Sequence, residues 1–301
     1  MPGRYIKLLF LIVIFLSAPV FAQQEEVETS NKEFNPSLDS KDYDDYGVHL
    51  LINKGQMPTI EVIYGMPEAS LKGLSGELGN RGSAEIRAGY TTIREFHKNL
   101  HKLNQNFIFF SGAAKGLYPE GSGSGKTIPQ VWRAGLGKFY GYGYKIHEVS
   151  ITPYTSNLIA WSHISFGNLK DNMNPQDAER LELYDRSVRF GTASEGGIKL
   201  KFGQNFTFTG GYEKSVVFPR YIFWEHMGSI MLEYCGLAAI DHFVKKVIVS
   251  SPLAGPITDF VLKNAFSYAI YQLRKDEQDW PFNGSSPLSF DTWKIGMTFI
   301  L

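Results

Sequence analysis

The 301-residue chain predicts an all-β protein: a closed antiparallel transmembrane β-barrel of about eight to ten strands with a helical hairpin inserted before the last strand. Three observations predict it. An export signal opens the chain. Beyond it no run of about 18 uncharged apolar residues offers a spanning helix. About eight segments of about ten residues alternate apolar and polar side chains with period two. A segment that enters a bilayer without a spanning helix must satisfy its backbone by closing a barrel.

The elements follow in chain order. Arg4 and Lys7 precede the apolar run Leu8–Leu16, and Val20-Phe21-Ala22 places small residues around a cleavage site, so residues 1–22 read as a signal peptide removed before Gln23. The chain has one cysteine, Cys235, which leaves no internal disulfide and no lipid-anchor cysteine at the cut. Residues 23–46 carry eight acidic residues and two lysines with few large apolar ones, a flexible acidic leader. The barrel with its insertion is expected over 47–301. The formal net charge is zero, which argues against a nucleic-acid partner.

The clearest strands are SAEIRAGYTT, GIKLKFG, NFTFTGGYE and the C-terminal FDTWKIGMTFIL. In the last, Trp293, Ile295, Met297, Phe299 and Leu301 share one face, and Thr292, Lys294, Gly296 and Thr298 the other, with Ile300 the exception. PTIEVIYG, NFIFFSGAAKG, QVWRAGLGKFYGYGY and EVSITPYTSNLIAWSHISFG complete the set. Spacing and length match outer-membrane barrels. The opposing faces carry glycine and charge together, as a crowded lumen requires, and Tyr140, Tyr142, Tyr144, Trp161 and Trp293 lie near strand ends, as in an aromatic girdle. The lumen-facing polar set is then Glu85, Arg87, Arg133, Lys199, Lys201 and Glu213. It mixes signs, and about eight strands leave an interior just wide enough for side chains, so a filled barrel is expected rather than a small-solute pore.

From about 220 to 281 the period becomes helical. Met227, Ile230, Met231, Tyr234, Leu237, Ala238, Val244 and Ile248 form one stripe; after the SPLAGP break, Pro256 opens a second helix with Leu262, Phe266, Ala269, Ile270 and Leu273. The expectation is a plug or cap, since packing in or over the lumen would bury both stripes. The polar stretch Leu169–Ser187 reads as an outward loop, with a short surface helix as the alternative.

Chemical motifs are sparse. PEGSGSGKT (119–127) is not a phosphate loop, because Glu120 stands where the motif needs glycine and Ile128-Pro129 prevents a following helix; it reads as a hairpin loop. His97 and His101 are four apart with no third ligand, so no metal site is expected and the stretch reads as a connecting loop with solvated histidines. No cofactor is expected and the small-molecule ligand is unknown. His163 and Ser165 in AWSHISFGN point the same way on a strand.

Two resemblances add to this reading. The final eight residues, KIGMTFIL, resemble the C-terminal assembly signal of bacterial outer-membrane β-barrel proteins, with Lys294, Gly296, Phe299 and Leu301 in its polar, glycine, hydrophobic and terminal places, and Leu301 where phenylalanine is commonest. The resemblance implies an outer-membrane location, lipid around the barrel and recognition by the barrel-assembly machinery. It implies a structural or binding role. The His163-x-Ser165 pair is similar to that of outer-membrane lipid A deacylases, which implies a serine nucleophile with a histidine base; Phe166 stands in place of that family's asparagine, and Glu179 or Glu195 would have to orient the histidine. That is the alternative function; a small-solute pore and a secreted β-sandwich binding module are the others.

Overall fold

A computed structural model describes residues 56–80, 82–97, 99–113, 127–166, 174–203, 205–220, 222–282 and 284–301. The signal peptide, the acidic leader and most of PEGSGSGKT lie outside the described residues. Eight strands form one closed antiparallel barrel in sequence order: β1 (Met57–Ser70), β2 (Ser83–His97), β3 (Leu100–Ala113), β4 (Gln130–Ile146), β5 (Val149–Ser165), β6 (Ser187–Phe202), β7 (Phe206–Val217) and β8 (Leu288–Ile300). Each of the eight alternating segments became one strand. The β-sandwich alternative is thereby overturned: β8 pairs with β1 from Ile300↔Thr59 to Ser289↔Ser70, which removes both sheet edges.

The two rims differ. Strand β1 begins and β8 ends at one of them, the near rim, where the connections are tight. There His147 takes φ 56 in the two-residue link from β4 to β5, the positive φ such a turn demands. The long connections all leave the far rim. The stretch read as a loop with His97 and His101 is instead the tight β2–β3 hairpin. His101 is buried inside the barrel, with a ring nitrogen 2.8 Å from Thr152 Oγ1. Histidine there has a hydrogen-bonding partner across the lumen, which pays for its burial.

Strand tilt follows from the register. Tracing partners from Phe299 through Ile60, Ala88, Ile108, Leu136, Ile159, Thr192 and Val216 returns to β8 at Ser289, ten residues nearer the far rim. Eight strands with that stagger tilt by about 40° from the barrel axis.

The far mouth is closed by short elements. Helix α1 (Pro175–Glu182) lies inside the stretch read as a loop. Asn174 caps it, accepting from the Asp177 N–H at 2.8 Å, and Pro175 sits in its first turn. Its Ala178 and Leu181, with Tyr184, pack on Leu71, Leu74 and Leu78 of the β1–β2 connection and on Ile164, Val217, Leu288 and Phe290 at the strand ends. Asp177 ties the two pieces, accepting from the Ser75 hydroxyl and backbone N–H.

The helical insertion is not that cap. Helix α2 (Phe223–Ser250) and helix α3 (Gly255–Asp276) form an antiparallel hairpin on the outer wall. The Tyr144 hydroxyl donates to Leu253 O at 2.6 Å, the Asn264 amide donates to Thr155 Oγ1 at 2.8 Å, and Tyr271 packs with Val216 and Phe218. All these strand residues point outward. From Tyr144 near one rim to Val216 near the other, α3 crosses β4 to β7 in the direction in which the pairing ladder climbs, so it stands nearly parallel to the barrel axis. The plug expectation fails because the lumen is already filled by strand side chains, and the cap expectation because α1 takes that place. The apolar stripe is divided accordingly: Leu237 and Val244 are buried, whereas Met227, Met231 and Tyr234 are exposed.

Two outcomes test the far-rim closure. Leu181→Ala, at a fully buried position, is expected to cost about 2–5 kcal/mol, read as a lower urea midpoint for loss of the compact gel form. The Ser75 hydrogen bonds hold the Asp177 carboxyl below its ordinary value, so the clamp is intact at neutral pH and is lost as pH falls through that lowered value. Protection factors at Ser75 and Gly76, which are amide exchange rates corrected for the intrinsic pH dependence, are expected to fall on acidification in the wild type and to be low at all pH values in Asp177→Asn.

Candidate functional site

The barrel interior gathers nearly all the buried charge of the strands. Alternation aims one residue in two inward, and the inward set is sorted by side. Leu103, Phe107, Phe109, Phe139, Tyr154, Leu158 and Ala160 line the β3–β5 side, with Ala193 of β6 completing the cluster. Facing them are four carboxylates, Glu61, Glu85, Glu195 and Glu213, and four cations, Arg87, Arg133, Lys199 and Lys294.

Arg87 is the hub and is 0% exposed. Its Nε donates to Glu85 Oε1 at 2.6 Å and its Nη2 to Glu195 Oε2 at 2.6 Å, while Nη1 stands 3.5 Å from Glu61 Oε2. Its guanidinium carbon lies 4.9 Å from the ring centres of both Phe107 and Phe139, a cation–π seat on the apolar side. Lys294 reaches Glu213 at 2.6 Å, Glu85 at 3.1 Å and Glu195 at 3.4 Å. Arg133 meets the other oxygen of Glu213 at 2.6 Å. Lys199 donates to Glu61 at 2.9 Å and lies 4.2 Å above the Phe139 ring. The hydroxyls of Thr209 and Thr298 also donate to Glu61, at 2.8 and 2.9 Å. The Tyr154 hydroxyl donates to Glu195 Oε1, and it fits because Gly197 and Gly211 lack side chains: a Cβ there would come within 2.7 and 2.5 Å of that oxygen.

Four charges of each sign are cross-bonded at this level, so their formal charges sum to zero. Toward the near rim the lumen widens into a vestibule of about 310 Å³, lined among others by His101, Gln105, Lys145, His147, Thr152 and Lys201. Lys199 belongs both to its lining and to the charge network. The vestibule is polar and carries both signs; Lys145 pairs with Glu95 at 2.6 Å.

Of the residues singled out in the sequence, Glu85, Arg87, Arg133, Lys199 and Glu213 meet in this network, and Lys201 lies apart, half-buried in the vestibule. Glu61, Glu195 and Lys294 were not in the lumen set. Two were legible: Glu61 alternates with Ile60 and Val62, and Lys294 with Trp293 and Ile295, whereas Glu195 stands among small and polar neighbours that show no alternation. Lys294 and Gly296 of the terminal octet face the lumen, and Phe299 faces out. His163 and Ser165 sit on the outer face at the far end of β5, with His163 exposed. Glu195 is across the wall, engaged by Arg87 and Tyr154, and Glu179 is exposed on α1. Among the described residues no hydrogen bond joins His163 to Ser165 or to a carboxylate, so this arrangement gives a serine no base. No group of metal-ligating side chains occurs among the described residues.

No family model and no curated protein matches the chain. Among solved structures it is similar to the Neisserial surface protein A (9% identity, TM-score 0.36, covering 81% of this chain and 97% of that one). It is likewise similar to Ail, the attachment invasion locus protein of Yersinia pestis (11%, 0.33, 82% and 99%), and to the outer membrane protein OprG from Pseudomonas aeruginosa (8%, 0.25, 82% and 96%). The barrel assignment rests on this chain's own closed ladder, not on those likenesses.

Arg87→Met keeps bulk and removes the charge that three carboxylates share. It is expected to cost about 3–5 kcal/mol of stability, the penalty for stranding a buried charge, measured as a shift in urea midpoint. Arg133→Met, at 11% side-chain exposure and paired with Glu213 above the Phe109 ring, is expected to cost less. Equal, negligible shifts would refute the hub.

Proposed function

We propose that the chain is an outer-membrane protein whose sealed barrel serves a structural or binding role. The carrying observation is the Arg87-centred network, which fills the lumen between an apolar far-rim closure and a near-rim vestibule. A channel needs a continuous wetted path lined by exposed charge, and this lumen spends its charges on one another.

The outer surface supports the membrane setting. On β8, β1, β2 and β3 the outward positions include Trp293 (63% exposed), Ile295 (61%), Ile86, Val62, Ile108 and Phe110. A contiguous apolar surface of that extent suits hydrocarbon and not water. Tight turns at one rim and long connections at the other follow the usual plan of such barrels, with the near rim toward the periplasm. Export by the N-terminal signal and delivery to the barrel-assembly machinery through Lys294, Gly296, Phe299 and Leu301 belong to the same reading. Among the described residues no helix is long and apolar enough to cross a membrane by itself.

The protein is expected to fractionate with outer membranes and to run faster on gels unheated than boiled. In planar bilayers it is expected to give no steady conductance; sustained single-channel steps would overturn the sealed lumen. Phe299→Ala, which removes an outward ring 5.5 Å from Phe206, is expected to lower the assembled, heat-modifiable fraction in cells while leaving the urea midpoint of the fraction that assembles close to that of the wild type.

A further inference from the structure

The hairpin on the outer wall is inverted relative to a helix pair in water. Its ion pairs lie inside, apart from that of Asp276 with Lys72 at the end of α3. Glu233 pairs with Arg274 at 2.7 Å, Asp241 and Asp259 pair with Lys263 at 2.5 and 2.7 Å, and His226 meets Asp279 at 3.1 Å. Its exposed positions are oily: Trp224 is 80% exposed, Met231 70%, Leu253 68%, Ile257 58% and Val261 52%. A helix pair in water does the reverse. Exposed ionisable groups on α2 beyond its first turn are His242 and Lys246, both toward the hairpin tip and the near rim, where a lysine stem can reach an interface.

The wall beneath is matched. The bare sector on β8, β1 and β2 is apolar, with Ile60, Val62, Ile86, Ile295 and Met297 outward. The covered sector is not: Tyr140, Thr155, Asn157 and Lys214 point outward from β4, β5 and β7. The hairpin occupies those groups. Thr155 is 0% exposed and bonded to Asn264, Lys263 lies 4.3 Å over the Tyr140 ring, and Lys214 lies 4.8 Å from the rings of Tyr268 and Tyr271. Left bare in lipid, Thr155 and Lys214 would each carry a penalty. The stretch of α3 from Gly255 to Tyr268 rises about 20 Å along the axis, comparable with the roughly 25 Å apolar band of such barrels.

We infer that α2 and α3 are embedded in the same lipid layer as the bare wall, with acyl chains covering the hairpin's outward face. Neither helix crosses alone; each does so because its polar face is docked on the other helix or on the polar sector of the barrel. This rests on the membrane reading above, so the test must separate the two.

Cys235 is the chain's one cysteine and is exposed on that outward face, which makes the native protein its own probe. The full chain is reconstituted into phosphatidylethanolamine–phosphatidylglycerol vesicles and Cys235 is nitroxide-labelled. Collisional relaxation is then measured with oxygen, which concentrates in hydrocarbon, and with a water-soluble nickel chelate. Cys235→Ser carrying Ile295→Cys reports the bare wall, and Cys235→Ser carrying Glu179→Cys reports the exposed α1. The expected result is an oxygen-to-nickel accessibility ratio at Cys235 that equals the one at position 295 and exceeds the one at position 179 severalfold. Nickel access at Cys235 with shielding at 295 overturns the embedded hairpin and leaves the barrel reading intact. Nickel access at both overturns both. Shielding of Cys235 from oxygen and nickel alike also overturns it, and a disulfide-linked dimer on oxidation then identifies a second copy as the cover.

Discussion

The structure depends on charge balance in the lumen. Glu61, Glu85, Glu195 and Glu213 point to the axis of a narrow barrel, where an unpaired carboxylate would cost several kcal/mol. Arg87 and Lys294 make them tolerable because each cation answers more than one carboxylate. The geometry that permits this is set by the stagger of the strands, which brings β2, β6 and β8 side chains to one level. The aromatic side of the lumen is part of the same device: Phe107 and Phe139 offer ring faces to cations whose other contacts are carboxylates.

Filling the lumen with charge has a consequence for the outside. A barrel that turns most of its large aliphatic side chains outward keeps inside mainly the β3–β5 apolar cluster, and much of its cohesion comes from the hydrogen-bonded ladder and the ion pairs of the interior. Folding in such a medium is the mirror of folding in water. The hairpin repeats the pattern one layer out, with ion pairs between its two helices and Met231, Ile257 and Val261 outermost. The far rim, facing water, reverts to ordinary practice: Leu181, Leu78 and Phe290 are buried together under a capped helix.

Much of this was legible in the residue order. Period-two alternation exposed all eight strands, and the faces of β8 were assigned correctly down to Trp293 outward and Thr298 inward. Reading failed where one pattern serves two environments. The α2 stripe marked an oily face, but oil against protein and oil against lipid look alike in sequence, so Met231 and Leu237 could not be told apart. His97 to His101 read as a loop because a two-residue hairpin leaves little room for a turn signature. The deacylase resemblance would have needed Glu179 or Glu195 to orient His163, and the wall of the barrel stands between Glu195 and His163.

Alternation therefore determined by itself where the strands lie and which side chains share a face, because a strand's two faces are fixed by covalent geometry, and the barrel was the expectation it supported. Which carboxylate meets which cation, what seals each mouth and where the hairpin lies were decided only by the tertiary structure. Those contacts join residues as far apart as Glu85 and Lys294, and the register that brings them together is a property of the closed ladder, not of any segment of it.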